Sequence, residues 1–258
     1  MIEAERCRAL RELSAIATPS NLAAPGTGER ILVIRLSAFG DIILAMAAMA
    51  AIRRHHISAH ITALTTKPYA ALLRGSPYVD EVWVDERPSA WNVGGWLALR
   101  RRLREGHFTR VYDLQTSDRS GCYFRLLGPG PRPEWSGIVS GCSHPHRNPL
   151  RHQLHVLDAW ADQLREAGVP DMGPVDLSWL AADISRFDLP PNYVLLVPGG
   201  SPHRPQKIWP AERYGELAQH LHNLGLIAAV LGTTSEQPLA AAIATHCQAM
   251  RDLTGRTD

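Results

Sequence analysis

Paired cysteines are missing from this chain of 258 residues. Its four cysteines, Cys7, Cys122, Cys142 and Cys247, are scattered and form no C-x-x-C pair. A reduced cytosolic protein with structural thiols fits that pattern best. An excess of one charge is missing too. Twenty-seven Lys and Arg face 25 Asp and Glu, a formal charge of +2. Such a balance argues against a nucleic-acid partner. Long apolar runs are lacking: the longest, Ile42 to Ile52, falls far short of the roughly 20 residues a bilayer span needs. The first 30 residues carry early charge and no apolar h-region. The expectation is a soluble, cytoplasmic protein.

What is present is enough apolar residue, 45% of the chain, for one large core or two modest ones. Residues 1–29 read as a helical arm, Glu3 to Ala17, followed by a linker. A β-rich run, Ile31 to Leu36, then turns through Ser37-Ala-Phe-Gly-Asp41 into an Ala/Met-rich helix ending near Arg53-Arg54. Strands are expected at His60–Leu64, Glu81–Val84 and Arg110–Leu114, with helices at Pro68–Arg74 and Trp96–Arg104. Gly128 to Gln153, rich in Gly, Pro and His, reads as the least regular region. A helix at His155–Ala167 and an interdomain linker, Gly168 to Pro191, follow. A second alternating series has strands at Tyr193–Val197, Leu226–Leu231 and Arg251–Leu253, with helices at Ala211–Leu224 and Pro238–Cys247. This alternation predicts an α/β fold of two Rossmann-like domains with parallel sheets, over residues 30–180 and 181–258.

The most informative stretch is Leu195-Leu-Val-Pro-Gly-Gly-Ser-Pro-His-Arg-Pro-Gln-Lys-Ile-Trp-Pro-Ala-Glu-Arg-Tyr214. It begins as a strand, breaks into a Gly/Ser/basic turn and re-enters a helix through Trp209-Pro210. Backbone N–H groups and the positive end of a helix can there face an anion, with Arg204 and Lys207 adding formal charge. Pro210 suits a first helical turn, and Glu212 favours the same end of the dipole.

Four motifs occur in order: Arg35-Leu-Ser-Ala-Phe-Gly-Asp41, Lys207-Ile-Trp-Pro210, Leu231-Gly-Thr-Thr-Ser-Glu236 and Asp252-Leu-Thr-Gly-Arg256. Together, over roughly residues 30 to 258, they resemble the family 9 glycosyltransferases, the lipopolysaccharide heptosyltransferase family. The resemblance implies a GT-B architecture whose N-terminal domain takes the acceptor and whose C-terminal domain takes the nucleotide-sugar. It implies inverting transfer, by default from ADP-heptose, to a lipopolysaccharide core or related cell-envelope glycolipid. No metal or other cofactor is implied, and the sequence has no Asp-x-Asp motif. The matching general base is Asp41. Gly199, Gly200, Ser201, Arg204 and Lys207 match the diphosphate site, and Glu236 the carboxylate that holds the donor ribose. Gln115, Thr116 and Asp118, at a strand end where open α/β sheets bind ligands, are acceptor candidates. Arg147 and Arg151 join them as partners for acceptor anions.

Each assignment has a plainer alternative. Asp41 after Gly40 reads as a helix N-cap, Lys207 as a solvated lysine and Glu236 as a first-turn acid. His144 and His146 could ligate zinc, but compact partner spacing is missing, so a loop beside the acceptor is the better reading. Arg100, Arg101, Arg102 and Arg104 read as a helix end complementing its dipole, or as a basic patch attracted to the cytosolic face of the inner membrane. A nicotinamide-dependent enzyme is the weaker reading, because its glycine fingerprint should follow the first strand and Gly26-Thr-Gly28 precedes it.

The family pattern continues beyond Leu-Thr-Gly-Arg-Thr to an Asp-Thr-Gly-x-x-His turn that this sequence lacks. The expectation is an incomplete second domain of three strands with an open edge. The alternative function is a truncated, non-catalytic remnant that binds nucleotide or glycan, or assembles with a transferase.

Overall fold

The computed structural model describes residues 28–200 and 205–257. The expected N-terminal arm, Cys7, Ser201, His203 and Arg204 lie outside the described residues. The chain divides into two units, Met1–Trp179 and Leu180–Asp258.

Unit 1 is a six-stranded, wholly parallel sheet. Its strands are β1 (Arg30–Ile34), β2 (His60–Thr65), β3 (Glu81–Val84), β4 (Arg110–Asp113), β5 (Glu134–Gly137) and β6 (His144–Pro145), in the order β3-β2-β1-β4-β5-β6. The helices are α1 (Phe39–His55), α2 (Lys67–Arg74), α3 (Val93–Glu105), α4 (Asp118–Leu126) and α5 (Val156–Glu166). The period-2 alternation of β1 sorts them onto two faces. Ile31 and Val33 pack with α1, α2 and α5, through Met46, Ile52, Leu73, Trp160 and Leu164. Leu32 and Ile34 pack with α3 and α4, through Leu99, Leu103, Tyr123 and Phe124. Burial on both faces explains why β1 is apolar from Ile31 to Ile34, and why β2 is buried from Ile61 to Thr65, rather than alternating. The Ala/Met-rich α1 keeps nine residues out of water, so it is apolar nearly all round.

Three expectations need correction. The stretch 128–153 contains β5 and β6; Trp135 and Ser136 are fully buried, and Ser143 Oγ accepts from Trp135 N at 2.7 Å. Short strands with Ser, Gly and Pro carry too little β-branched signal to be read ahead. Helix α4 was not expected, although its Ser117 cap, accepting from Ser120 N at 3.3 Å, is an ordinary start signal. Finally, 168–191 is not a free linker along its whole length. Val169 is buried, and Met172, Val175, Leu177 and Trp179 pack on the α1 side of unit 1.

Unit 2 has three parallel strands, β7 (Tyr193–Leu196), β8 (Ile227–Val230) and β9 (Arg251–Asp252), in that order. Helices α6 (Ala211–Asn223) and α7 (Gln237–Ala244) cover one small core built on Leu196, Ala218, Val230, Ala240 and Ile243. Pro210 sits at the cap position before α6, not within its first turn.

Candidate active site

In a sheet ordered 3-2-1-4-5-6 the chain reverses its winding between β1 and β4, which opens a crevice at their carboxyl ends. Two loops leave there. The loop after β1 carries Arg35 to Ala38 and leads to Asp41 in the first turn of α1; the loop after β4 carries Leu114 to Ser117 and leads to Asp118 at the start of α4. The Arg35 guanidinium, nearly buried, ties them together. Its Nη1 donates to Leu114 O at 2.8 Å and its Nη2 to Asp41 Oδ2 at 2.5 Å. It also lies 5.3 Å from the centre of the Trp160 ring. Burial lowers the guanidinium pKa, while Asp41 and then Asp113 oppose that shift.

Asp41 lies in the first turn of α1. Its Oδ2 also accepts from Ala38 N at 3.3 Å, half of a capping arrangement, since Ala38 has no side-chain oxygen to return the bond. The Ser37–Ala38 peptide bond is cis. The Asp41 side chain is 46% exposed, and Oδ1 has no hydrogen-bond partner among the described residues. Oδ2 therefore carries both the Arg35 pair and the cap contact, and Oδ1 carries neither.

Gln115 braces the same loop: its Oε1 accepts from Leu36 N at 2.9 Å and Ser37 N at 3.4 Å. Beneath it sits Asp113, 1% exposed, whose Oδ1 accepts from Gln115 N at 3.1 Å and Thr116 N at 2.9 Å. Desolvation pushes the Asp113 pKa up to about 6 despite those bonds. Thr116 has left-handed backbone (φ 45°), which costs a non-glycine residue about 1 kcal/mol. The Asp113 bonds hold it there, and Arg151 Nη2 donates to Thr116 Oγ1 at 3.1 Å.

Asp41, Gln115, Thr116 and Arg151 thus belong to one connected set. Asp118 starts α4 as an exposed first-turn acid. Arg147 is exposed, without a hydrogen bond or ion pair among the described residues, and the structure does not bring it into the set. His146 is committed elsewhere. Its Nε2 lies 3.2 Å from Asp162 Oδ2, which also accepts from Asn148 Nδ2 at 2.7 Å. Among the described residues no cluster of three or more His, Cys, Asp or Glu could hold a metal ion. Two hollows of about 400 and 450 Å³ open elsewhere in unit 1, on the α3–α4 side, and neither touches these residues.

In unit 2 the loops after β7 and β8 meet at Glu236. Its Oε2 accepts from Thr233 N and Thr233 Oγ1, both at 2.7 Å, and its Oε1 from Ser235 Oγ at 2.9 Å. These donors hold its pKa below the usual carboxylate range. Its stem crosses Gly199 and Gly232 so closely that a Cβ on either would lie 2.9 or 2.7 Å from it. Only glycine admits that approach. Lys207 is exposed at the end of a short 3₁₀ turn, Pro205–Lys207, and Gly200 packs on Ile208. Trp209 stacks edge-on against Tyr214, with ring centres 5.0 Å apart.

The sequence profile of glycosyltransferase family 9 (heptosyltransferase) matches residues 96–258, more than half of the chain. The chain belongs to glycosyltransferase family 9. A curated relative, the lipopolysaccharide core heptosyltransferase OpsX of Haemophilus influenzae, is 25% identical over 213 residues, 77% of this chain. The chain spans 59% of that relative's length. Among solved structures, the family 9 glycosyltransferase of Veillonella parvula superposes with a TM-score of 0.71 at 19% identity, covering 89% of this chain and 70% of that one. The ADP-heptose lipopolysaccharide heptosyltransferase II of E. coli gives 0.63 at 21%, with 88% and 73% covered. The E. coli heptosyltransferase WaaC gives 0.62 at 18%, with 87% and 76% covered. The fold class is that of these family 9 structures: α/β, GT-B-like, with two Rossmann-like units.

Within this family 9 chain, three residues of the set were not singled out from sequence: Arg35, Asp113 and Trp160. Arg35 stood inside a quoted motif, and a charged residue closing an otherwise apolar strand is the signal that marks it. Asp113 carries the same signal at the end of β4. Trp160 gives none, since an aromatic on a helix is ordinarily core; here its Nε1 also donates to Leu114 O at 3.2 Å.

Proposed function

We propose that this chain serves sugar transfer, by default of heptose from ADP-heptose, to a lipopolysaccharide core or related cell-envelope glycolipid. The reading includes inversion at the anomeric carbon, no metal ion, and work at the cytosolic face of the inner membrane. Family membership supports it, as do the name of the H. influenzae relative and the ADP-2-deoxy-2-fluoro heptose held by the E. coli WaaC structure. One observation of this chain carries it furthest. Asp41 stands at the switch point with Oδ2 fixed by buried Arg35 and Oδ1 open to solvent.

In this reading the acceptor hydroxyl gives its proton to Asp41 Oδ1 as its oxygen bonds the anomeric carbon. The bond from that carbon to the diphosphate oxygen breaks on the opposite face, and the nucleoside diphosphate leaves with the electron pair. Lys207, the N–H groups of Gly199 and Gly200, and Ser201 and Arg204 from the same stretch of sequence meet the charge that develops. Glu236 holds the ribose through the oxygen capacity left over from Thr233 and Ser235. Gln115, Thr116 and Arg151 orient the acceptor, and Asp118 and Arg147 are further candidates for that contact.

The test is Asp41→Asn, assayed with ADP-heptose and a core glycolipid. Turnover should fall by about 10²–10⁴-fold, while ADP binding by titration calorimetry stays unchanged. Near-normal turnover would remove Asp41 as the base. Loss of wild-type turnover in excess EDTA would overturn the metal-free step.

A further inference from the structure

Three of the large apolar side chains that unit 1 leaves in water lie within one short stretch of sequence. Trp91 is 92% exposed, Val93 66% and Leu97 59%. Val93 and Leu97 are one helical turn apart on α3, and Arg101 continues the same stripe a turn later. Trp91 lies in the loop that leaves the carboxyl end of β3. In a parallel sheet that is the edge from which the Asp41 and Gln115 loops also leave, and β3 is two strands from β1.

This exposure is built into the structure, for the loop is pinned at both ends. Asp85, with its side chain fully buried, accepts from Tyr123 Oη at 2.5 Å, Arg119 Nε at 3.2 Å and Arg87 N at 2.9 Å. Trp96 Nε1 donates to Ser89 O at 3.0 Å, and Asn92 caps α3 by accepting from Gly95 N at 2.8 Å. A tryptophan held out from a braced loop, with aliphatic residues behind it, is the usual composition of an interfacial contact. The charge around it is basic: residues 86–105 hold five arginines against two glutamates. Arg100, Arg102 and Arg104 anchor α3 by donating to the carbonyls of Leu126, Val84 and Pro129. Their cationic field remains beside the apolar stripe.

We propose that the Trp91–Val93–Leu97–Arg101 face rests on an anionic phospholipid bilayer, with Trp91 at headgroup level. The arginines match the surface charge of such a bilayer, whereas a neutral apolar groove on a protein partner would leave them unmatched. The proposal deepens the glycolipid-acceptor reading by placing a lipid surface at the edge that carries Asp41. Its test reads no turnover, so the two can fail separately.

The experiment is flotation of the purified chain with vesicles of phosphatidylethanolamine and phosphatidylglycerol, and with vesicles of phosphatidylcholine alone. Wild type should float with the anionic vesicles and not with the neutral ones. Trp91→Ser/Leu97→Ser should bind at least about tenfold more weakly, with an unchanged melting temperature because both side chains already face water. Arg101→Glu, which keeps the apolar stripe, should lose about fivefold or more. No binding by wild type, or equal binding by the double variant, would overturn the proposal. So would a wild-type dimer that the double variant dissociates without any vesicle binding, which would assign the face to a second copy.

Discussion

Two buried or half-buried acids at the switch point differ in what surrounds their oxygens, and that difference divides their roles. Asp41 meets a guanidinium and water; Asp113 meets backbone N–H groups in a dry pocket. The second environment makes folding pH-dependent. Asp113 titrates near 6 in the folded chain and near 3.8 when unfolded, so between those values the folded state holds a proton that the unfolded state has released. The contribution of Asp113 to stability is therefore full below about pH 4 and is lost as pH rises through 6, by about 3 kcal/mol at one pKa unit per 1.36 kcal/mol. Asp113→Asn keeps an oxygen for Gln115 N and Thr116 N and removes the titration. Urea unfolding between pH 4 and 7 should show this component in wild type and its loss in the variant. An unchanged slope would mean that another group sets it.

Among the elements, the loop from β8 into α7 shows how the carboxylate proposed for the donor site is set by neighbours that carry no chemistry. Thr233-x-x-Glu236 is a capping box, so Glu236 first closes its own turn, and Gly199 and Gly232 give its stem room. Gly232→Ala would place a Cβ 2.7 Å from Glu236 Cβ, an atom near the backbone that cannot swing away. The expected cost is about 1–3 kcal/mol of stability, together with weaker ADP binding as Glu236 shifts. Denaturation and calorimetry on one preparation measure both. Weaker unfolding resistance with intact ADP affinity would remove Glu236 from the donor site. The first-turn acid Glu236, the glycines after β7 and the apolar runs of β1 and β8 were all legible in the residues, because local chemistry dictates them. The brace between Arg35, Leu114 and Gln115 was not, because it joins residues far apart in sequence that only strand order brings together. Strands β5 and β6 were hidden for a related reason: Ser136, Gly137 and Pro145 pair through position in the sheet, not propensity.

At the scale of the whole molecule the two units differ in how much apolar surface they remove from water. Unit 1 encloses a core on each face of its sheet, with Trp135, Tyr112 and Tyr123 fully buried. Unit 2 encloses one core on three short strands, much of it alanine, and leaves Leu195 and Val197 about half exposed. Burial scales stability, so unit 2 should unfold first, giving two calorimetric transitions instead of one. The proposed donor residues Gly199, Lys207 and Glu236 all lie in unit 2, so ADP should act on the lower transition alone. At one hundred times its Kd a ligand adds about 2.7 kcal/mol, enough to raise the midpoint of a small domain by roughly 10 °C or more. Scanning calorimetry with and without ADP decides it. A rise confined to the upper transition would place the nucleotide in unit 1. A single transition that moves as a whole would mean that the units unfold together, and that the donor site draws its stability from both.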